Sequence, residues 1–367
     1  MLSSGAVAFN VESSMKPRSG QFAVAVLTFI AVTQGDHQLS GWRTARADSP
    51  LNETQRIESL TVAQAEQLVA TTQERKLQLG GLTSLSADGA SALSAFEGTV
   101  LHLNGLKQIT PETARALATS RAKVLDLGGL ARPSADVVSA LGEFGGMGIM
   151  LGLDALSLEQ ARLLAAFKAR RLRFTGTADL TVETATILAT FPGDQLWFER
   201  GPTKLTPEVA RAIVSFKGPS LALDGMTTLS TDAARELASF RGEALRLGGL
   251  QMLSGEAAEA IANFKGKQLD CHALYTTLMN VGRDGPLTLE QARSACALFR
   301  PEHRPTLHHL TAIDSPDAEA IARMLASSKA RLAIPKLKRI TPRALEALTA
   351  NGNIDVPPRE SLELVGE

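Results

Sequence analysis

A pattern of leucines and small residues repeats along most of the chain. The segment from 77 to 98 is LQLGGLTSLSADGASALSAFEG, and the segment from 245 to 266 is LRLGGLQMLSGEAAEAIANFKG. The position that holds phenylalanine in both segments recurs every 23 to 25 residues, at Phe96, Ser120, Phe144, Phe167, Phe191, Phe216, Phe240 and Phe264. A fixed period of this length predicts a stacked-repeat architecture.

Each repeat predicts one short strand followed by one short helix. Leucines of the L-x-L segment share one face of a strand, and the residue between them points the other way. A turn follows, and we expect positive φ at its glycines, which are Gly81, Gly105, Gly129, Gly225 and Gly249. The helix starts are predicted at capping Ser or Thr residues, with an acidic residue two positions later, as at Ser86 and Asp88.

A unit this small cannot bury its apolar face alone, so neighbouring units must stack. The sequence therefore predicts an α/β solenoid of about twelve strand-turn-helix repeats, with a parallel sheet on the concave face and helices on the convex face. We place the solenoid at 57–356, with an irregular repeat at 269–305 where the turn is too long. A linker at 48–56 and a C-terminal tail at 357–367 complete the predicted organisation.

The repeat resembles the leucine-rich repeat family. Its L-x-L-x-x-L core, as at Leu101, Leu103 and Leu106, is similar to the strand motif of that family, and the following helix is similar to the helical subtypes. The asparagine that the family has after the strand is absent, since this chain has Leu82, Leu106, Leu130, Met226 and Leu250 there. The resemblance implies a divergent relative, of the type that bacteria export, that binds other molecules.

Residues 1–47 predict a leader with a secretory signal peptide, and we place the translation start at Met15. A positive segment begins there, an apolar run covers 22–32, and Ala45-Arg46-Ala47 provides a small-x-small cleavage signal. A membrane anchor is the alternative, although the run is shorter than the roughly 20 residues that span a bilayer. Cleavage would leave no membrane span and a protein that is secreted, or periplasmic in the cell envelope.

The charge balance and the lack of catalytic motifs argue against two functional classes, nucleic acid binding and catalysis. The 38 basic and 38 acidic residues balance, and nucleic acid binding draws most of its affinity from clustered Lys and Arg. Nucleic acid is therefore not expected as the main partner. No segment has the spacing of a known catalytic motif, so we expect neither an enzyme nor a cofactor.

The outward residues of the strands predict a binding face. Arg173, Trp197 and Glu199 fall on neighbouring strands, and Asp224 and Arg246 follow on the next two. Trp and Arg are enriched among residues that dominate binding energy, and a flat indole among polar groups also suits sugars. The alternative is an arginine–tryptophan stack that only covers the sheet.

The irregular repeat contains two further candidate sites. Asp270, His272 and His308 could point outward from adjacent strands and bind a metal ion, although surface histidines are the alternative. Cys271 and Cys296 could form a disulfide in an exported protein, or remain two small buried thiols.

These features together predict an exported, non-catalytic repeat protein that binds a protein or polysaccharide through its concave face. The alternative function keeps the same fold without a discrete ligand site. In that alternative, the protein is a structural envelope scaffold whose regular surface associates with copies of itself.

Overall fold

The structure, a computed structural model, describes residues 54–283, 285–299, 304–350 and 352–366. The predicted leader, including Met15 and the cleavage signal, lies outside these residues. Thirteen helices are described: α1 (Val62–Thr71), α2 (Ala87–Ser94), α3 (Pro111–Ala118), α4 (Ala135–Leu141), α5 (Leu158–Ala165), α6 (Val182–Leu188), α7 (Pro207–Ile213), α8 (Thr231–Ala238), α9 (Gly255–Ala262), α10 (His272–Met279), α11 (Leu289–Leu298), α12 (Ala318–Ala326) and α13 (Pro342–Thr349). None of these helices combines the length and apolar composition that a membrane crossing requires.

Short strands alternate with the helices. They are β1 (Lys76–Gln78), β2 (Val100–His102), β3 (Val124–Leu127), β4 (Gly148–Leu151), β5 (Arg171–Phe174), β6 (Gln195–Phe198), β7 (Ser220–Leu223), β8 (Ala244–Arg246), β9 (Gln268–Asp270), β10 (Ala312–Ile313), β11 (Leu332–Ala333), β12 (Arg339–Ile340), β13 (Ile354–Asp355) and β14 (Glu363–Leu364). A 3₁₀ helix at Arg359–Ser361 precedes the last strand. Strands β1 to β9 form one parallel sheet in chain order.

The register of this sheet is constant. Leu77 lies beside Leu101, Leu101 lies beside Leu125, and the same pairing continues to Leu245 beside Leu269. Equivalent residues of successive repeats therefore form rows across the sheet. The predicted α/β solenoid of strand-turn-helix repeats is confirmed.

The helices begin at the predicted caps. Each predicted Ser or Thr side chain accepts a hydrogen bond from the backbone N–H three residues later, at Ser86, Thr110, Ser157, Thr181, Thr206, Ser230, Ser254 and Thr341. These bonds satisfy donors that the first helical turn leaves unpaired. Because each helix follows the carboxyl end of its strand, the helix N-termini lie along one edge of the sheet and the C-termini along the other.

A row of phenylalanines fills the space between helices and sheet. Phe191, Phe216, Phe240 and Phe264 stack with ring centroids 6.4, 6.5 and 6.2 Å apart. The glycine two residues after each ring lies against it. A Cβ on Gly242 would lie 2.3 Å from Cζ of Phe240. Glycine is therefore required two residues after each of these phenylalanines, because the loop packs directly on the ring.

The expected positive φ at the turn glycines is wrong. Among the described glycines, only Gly282, Gly285 and Gly366 have positive φ. The turn glycines are needed for a different reason, which is the close approach of successive turns. A Cβ on Gly105 would lie 2.2 Å from the carbonyl oxygen of Gly80, so any larger residue would separate the two repeats.

Regular stacking stops after β9. The long turn predicted in the irregular repeat contains α10, and the nine-stranded sheet does not continue beyond it. The chain then forms two smaller parallel sheets, β10-β12-β14 and β11-β13. Strand β14 lies in the segment expected to be a tail, and it pairs with β12. Strand pairing therefore extends beyond residue 356.

Candidate functional site

The strands carry an open face on the side opposite the helices. We define the open face by the middle residues of the L-x-L segments and the residues two positions farther along each strand. The middle residues are register partners in one row: Gln78, His102, Asp126, Met150, Arg173, Trp197, Ala222, Arg246 and Asp270. The row brings Arg173, Trp197 and Arg246 together. Glu199 and Asp224 lie beside them in the next row.

Trp197 lies between two arginines. Cζ of Arg173, on β5, is 3.7 Å from the centroid of the indole ring, and Cζ of Arg246, on β8, is 4.7 Å from it. The two guanidinium groups come from strands on opposite sides of β6. Both lie within the roughly 6 Å at which a cation is attracted to an aromatic face.

Carboxylates hold both arginines in these positions. Nε and Nη2 of Arg173 lie 3.1 and 2.9 Å from Oε2 of Glu199. Arg246 lies 3.4 Å from the carboxylate of Asp224 and 3.5 Å from that of Asp270. We call these five residues and Trp197 the Trp197 cluster. Its members are connected from β5 to β9 by ring contacts and ion pairs.

Ala222 makes the contact with Arg246 possible. It occupies the row position between Trp197 and Arg246, and it is fully buried. Two strand spacings, roughly 9.6 Å, separate β6 from β8, and a side chain no larger than methyl leaves room for Arg246 to extend across β7. Nε1 of Trp197 and Nε of Arg246 are enclosed without a hydrogen-bond partner in the described part of the chain.

A second polar pair lies on β2 and β3. Nδ1 of His102 is 2.8 Å from Oδ2 of Asp126, a buried carboxylate whose other oxygen accepts from the N–H of Gly128 at 3.0 Å. This pair is not among the site residues predicted from the sequence. The available signal was that both residues hold the middle position of consecutive L-x-L segments. Nε2 of His102 is enclosed without a hydrogen-bond partner among the described residues.

The structure does not bring Asp270, His272 and His308 together. His272 begins α10, and the bridge next to His308 pairs Thr306 with Ala333 rather than with β9. The expected strand adjacency fails because the chain inserts α10 and then pairs with different strands. Within the described ranges, no group of three His, Cys, Asp or Glu side chains could hold a metal ion.

Cys271 and Cys296 are free thiols, so the disulfide that an exported protein would permit is not formed. Cys271 is buried after β9, while Sγ of Cys296 is directed to the next helix and donates to the carbonyl oxygen of Met324 at 3.0 Å. Burial raises the pKa of both thiols to about 12, with Asp270 adding to the shift of Cys271. Neither thiol therefore has the thiolate character of a reactive cysteine.

No protein-family profile matches the sequence, and no curated protein matches it. Solved structures do match the chain. Rad7, in its yeast complex with Elc1, is 13% identical with a TM-score of 0.40, and the match covers 84% of this chain and 89% of that one. TLR13, in its complex with ssRNA13, is 16% identical with a TM-score of 0.42, covering 79% of this chain and 41% of that one. A Leptospira interrogans leucine-rich repeat protein is 15% identical with a TM-score of 0.34, covering 86% and 80%.

The fold is established by the sheet itself. Nine parallel strands pair in chain order, and helices connect each strand to the next. Leucines fill the inner positions of the strands, and Leu82, Leu106, Leu130, Met226 and Leu250 are fully buried where an asparagine ladder would otherwise lie. In its fold, the chain is therefore an α/β solenoid of the leucine-rich-repeat type.

Proposed function

We propose that this chain is a non-catalytic binding protein that contacts a protein partner through the Trp197 cluster. The observation that carries the proposal is the indole of Trp197, held on the open face between two arginines that carboxylates fix in place. Trp and Arg supply a large share of the binding energy in many interfaces. Because the side chains are already ordered, less conformational entropy is lost on binding.

The geometry of the cluster favours a protein over a polysaccharide. A sugar ring stacks on an uncovered aromatic face, whereas guanidinium groups approach the Trp197 ring from strands on both sides. The cluster instead presents a partly exposed surface of mixed charge. The side chains of Arg173, Arg246 and Glu199 are 26%, 33% and 36% exposed. Such a surface supports the hydrogen bonds and ion pairs of a protein interface.

The test is affinity capture with the full chain, followed by identification of the retained proteins. The extract is the extracellular or periplasmic fraction of the source cells. Wild type and Trp197→Ala are compared with Gln78→Ala, a control that changes the same row of the open face at β1. We expect specific partners to be retained by wild type and by the control and to be lost with Trp197→Ala. Equal retention by all three would refute the proposed site.

We also propose that the protein is exported by its N-terminal signal. Support comes from the order of basic, apolar and small residues between Met15 and Ala47. Cell fractionation with N-terminal sequencing of the mature protein tests this proposal. The expected mature chain begins at Asp48 outside the cytoplasm, and an uncleaved cytoplasmic chain would contradict it.

A further inference from the structure

One edge of the nine-stranded sheet has an excess of basic side chains. We call it the basic edge: the loops and first strand residues that lead from each helix into the next strand, between residues 72 and 268. It contains eleven basic and five acidic side chains, a surplus of six positive charges. They are Arg75, Lys76, Arg121, Lys123, Lys168, Arg170, Arg171, Lys217, Arg241, Lys265 and Lys267, against Glu74, Glu97, Glu143, Asp194 and Glu243. All eleven basic residues are exposed.

Four of the five acids of the basic edge form ion pairs with basic residues of the same edge. Glu97, Glu143, Asp194 and Glu243 each pair with a basic residue of the neighbouring repeat. Seven basic residues remain without an ion pair in the described part of the chain: Arg75, Lys76, Lys123, Arg171, Lys217, Arg241 and Lys265. The surplus charge is therefore available to a partner.

The opposite edge has the reverse charge. We call it the acidic edge: the turns that lead from each strand into the next helix, together with the first two residues of that helix, between residues 79 and 256. It contains twelve acids and four bases: Asp88, Glu112, Asp136, Asp154, Glu159, Asp179, Glu183, Glu199, Glu208, Asp224, Asp232 and Glu256, against Lys107, Arg132, Arg200 and Lys204. Glu112, Glu199, Asp224 and Asp232 pair with arginines outside this edge, so eight acids remain without an ion pair in the described part of the chain. Hydrogen bonds from the helix backbone and the capping hydroxyl lower the pKa of Glu112, Glu183 and Glu208, so these acids stay ionised at neutral pH.

We propose that the basic edge of one copy binds the acidic edge of a second copy. The opposite charges of the two edges attract, although the protein as a whole is neutral, with 38 basic and 38 acidic residues. The spacing of the charges also matches, because the same repeats generate both edges. A second copy displaced along the strand direction would place basic and acidic residues opposite each other repeat by repeat.

This arrangement is head-to-tail. The edge at the helix C-termini of one copy meets the edge at the helix N-termini of the next. Each bound pair leaves one basic and one acidic edge unused, and such contacts extend into open assemblies. Nucleic acid fits the basic edge less well. The phenylalanines next to it are buried, so they cannot stack with bases.

Sedimentation velocity of the full chain tests the proposal. The measurement is made at about 20 mM and about 500 mM salt, because the distance over which salt screens charges differs severalfold between them. The variant Lys217→Glu/Arg241→Glu/Lys265→Glu reverses three unpaired residues of the basic edge. Its control, Lys329→Glu/Lys336→Glu/Lys338→Glu, makes the same change in net charge at three exposed residues that lie outside both edges. Thermal melts confirm that each variant is folded.

We expect wild type and the control to associate at low salt and to dissociate at high salt. The basic-edge variant is expected to associate at least about tenfold more weakly, because like charges then face each other. A monomeric wild type at about 100 µM in low salt would overturn the proposal, and so would equal association of the basic-edge variant and the control.

A mixing experiment identifies the second surface. The acidic-edge variant Glu159→Lys/Glu183→Lys/Glu208→Lys retains an intact basic edge, and the basic-edge variant retains an intact acidic edge. We expect each variant alone to be monomeric and their mixture to form dimers without larger species. A mixture that remains monomeric, with both variants folded, would overturn the pairing of the two edges. Because the basic-edge variant leaves Trp197 unchanged, its capture of protein partners tests the proposed function separately.

Discussion

The inner and open faces of the same strands follow different rules. On β6, Leu196 and Phe198 point inward, and the ring of Phe198 stacks on that of Phe174 with centroids 4.9 Å apart. Trp197, between them, points outward and contacts arginines from β5 and β8. Inner positions repeat the same few apolar residues, whereas the open row changes from strand to strand. Repetition therefore specifies the fold, and departures from repetition on the open face are where a site can form.

Removing one ring of the row of phenylalanines should have the largest effect on stability. Phe216 stacks between Phe191 and Phe240 and is buried. We expect Phe216→Ala to lower the free energy of unfolding by about 3–5 kcal/mol, because it removes apolar contacts and leaves a cavity between two repeats. Denaturant unfolding followed by circular dichroism measures the change. Phe216→Leu retains most of the volume and should cost less than about 1.5 kcal/mol. Equal losses for the two variants would contradict a packing origin.

Adding a methyl group to the F-x-G loop should have an intermediate effect. A Cβ on Gly242 meets the Phe240 ring at 2.3 Å and the carbonyl oxygen of Pro219 at 2.8 Å. We expect Gly242→Ala to cost about 1–3 kcal/mol of unfolding free energy. Gly145→Ala is the matched control, since a Cβ there meets nothing within 4 Å. Thermal and denaturant unfolding should show a change within about 0.5 kcal/mol for the control.

The open face should contribute least to stability. We expect Trp197→Ala to cost about 1–2 kcal/mol of unfolding free energy, because two cation–π contacts of roughly 0.5–1 kcal/mol each are lost. Double-mutant cycles with Arg173→Ala and with Arg246→Ala measure each contact. The coupling to Arg173, at 3.7 Å, should exceed that to Arg246, at 4.7 Å. If Trp197→Ala lowered the unfolding free energy as much as Phe216→Ala, the open face would contribute as much to stability as the buried core, which would contradict this prediction.

Most of the fold is predictable because its determinants are periodic. The helix caps, the inner leucines and the phenylalanine row recur at one spacing, so each repeat supports the assignment of the others. The reason for the turn glycines is not predictable from the sequence, since a glycine under a neighbouring backbone and a glycine at positive φ have the same sequence pattern. The end of the sheet after β9 is not predictable in this way, because α10 has no counterpart in the template.

The candidate site is only partly predictable. Strand order places Arg173 next to Trp197, and the sequence is sufficient to identify that neighbour. The reach of Arg246 across β7 depends on side-chain conformation, which strand order does not determine. The charge of the two edges depends on which loops lie side by side, and it emerges only when equivalent positions of all repeats are summed.

Ala222 has a consequence for how far an electrostatic change can spread over the open face. With alanine at this position, the Trp197 cluster is one connected network from Glu199 to Asp270. A leucine at position 222 would occupy the space through which Arg246 reaches Trp197. The network would then separate into two groups of contacts, one on β5 and β6 and the other on β7 to β9. The connectivity of the open face is therefore set by the smallest side chain in its row.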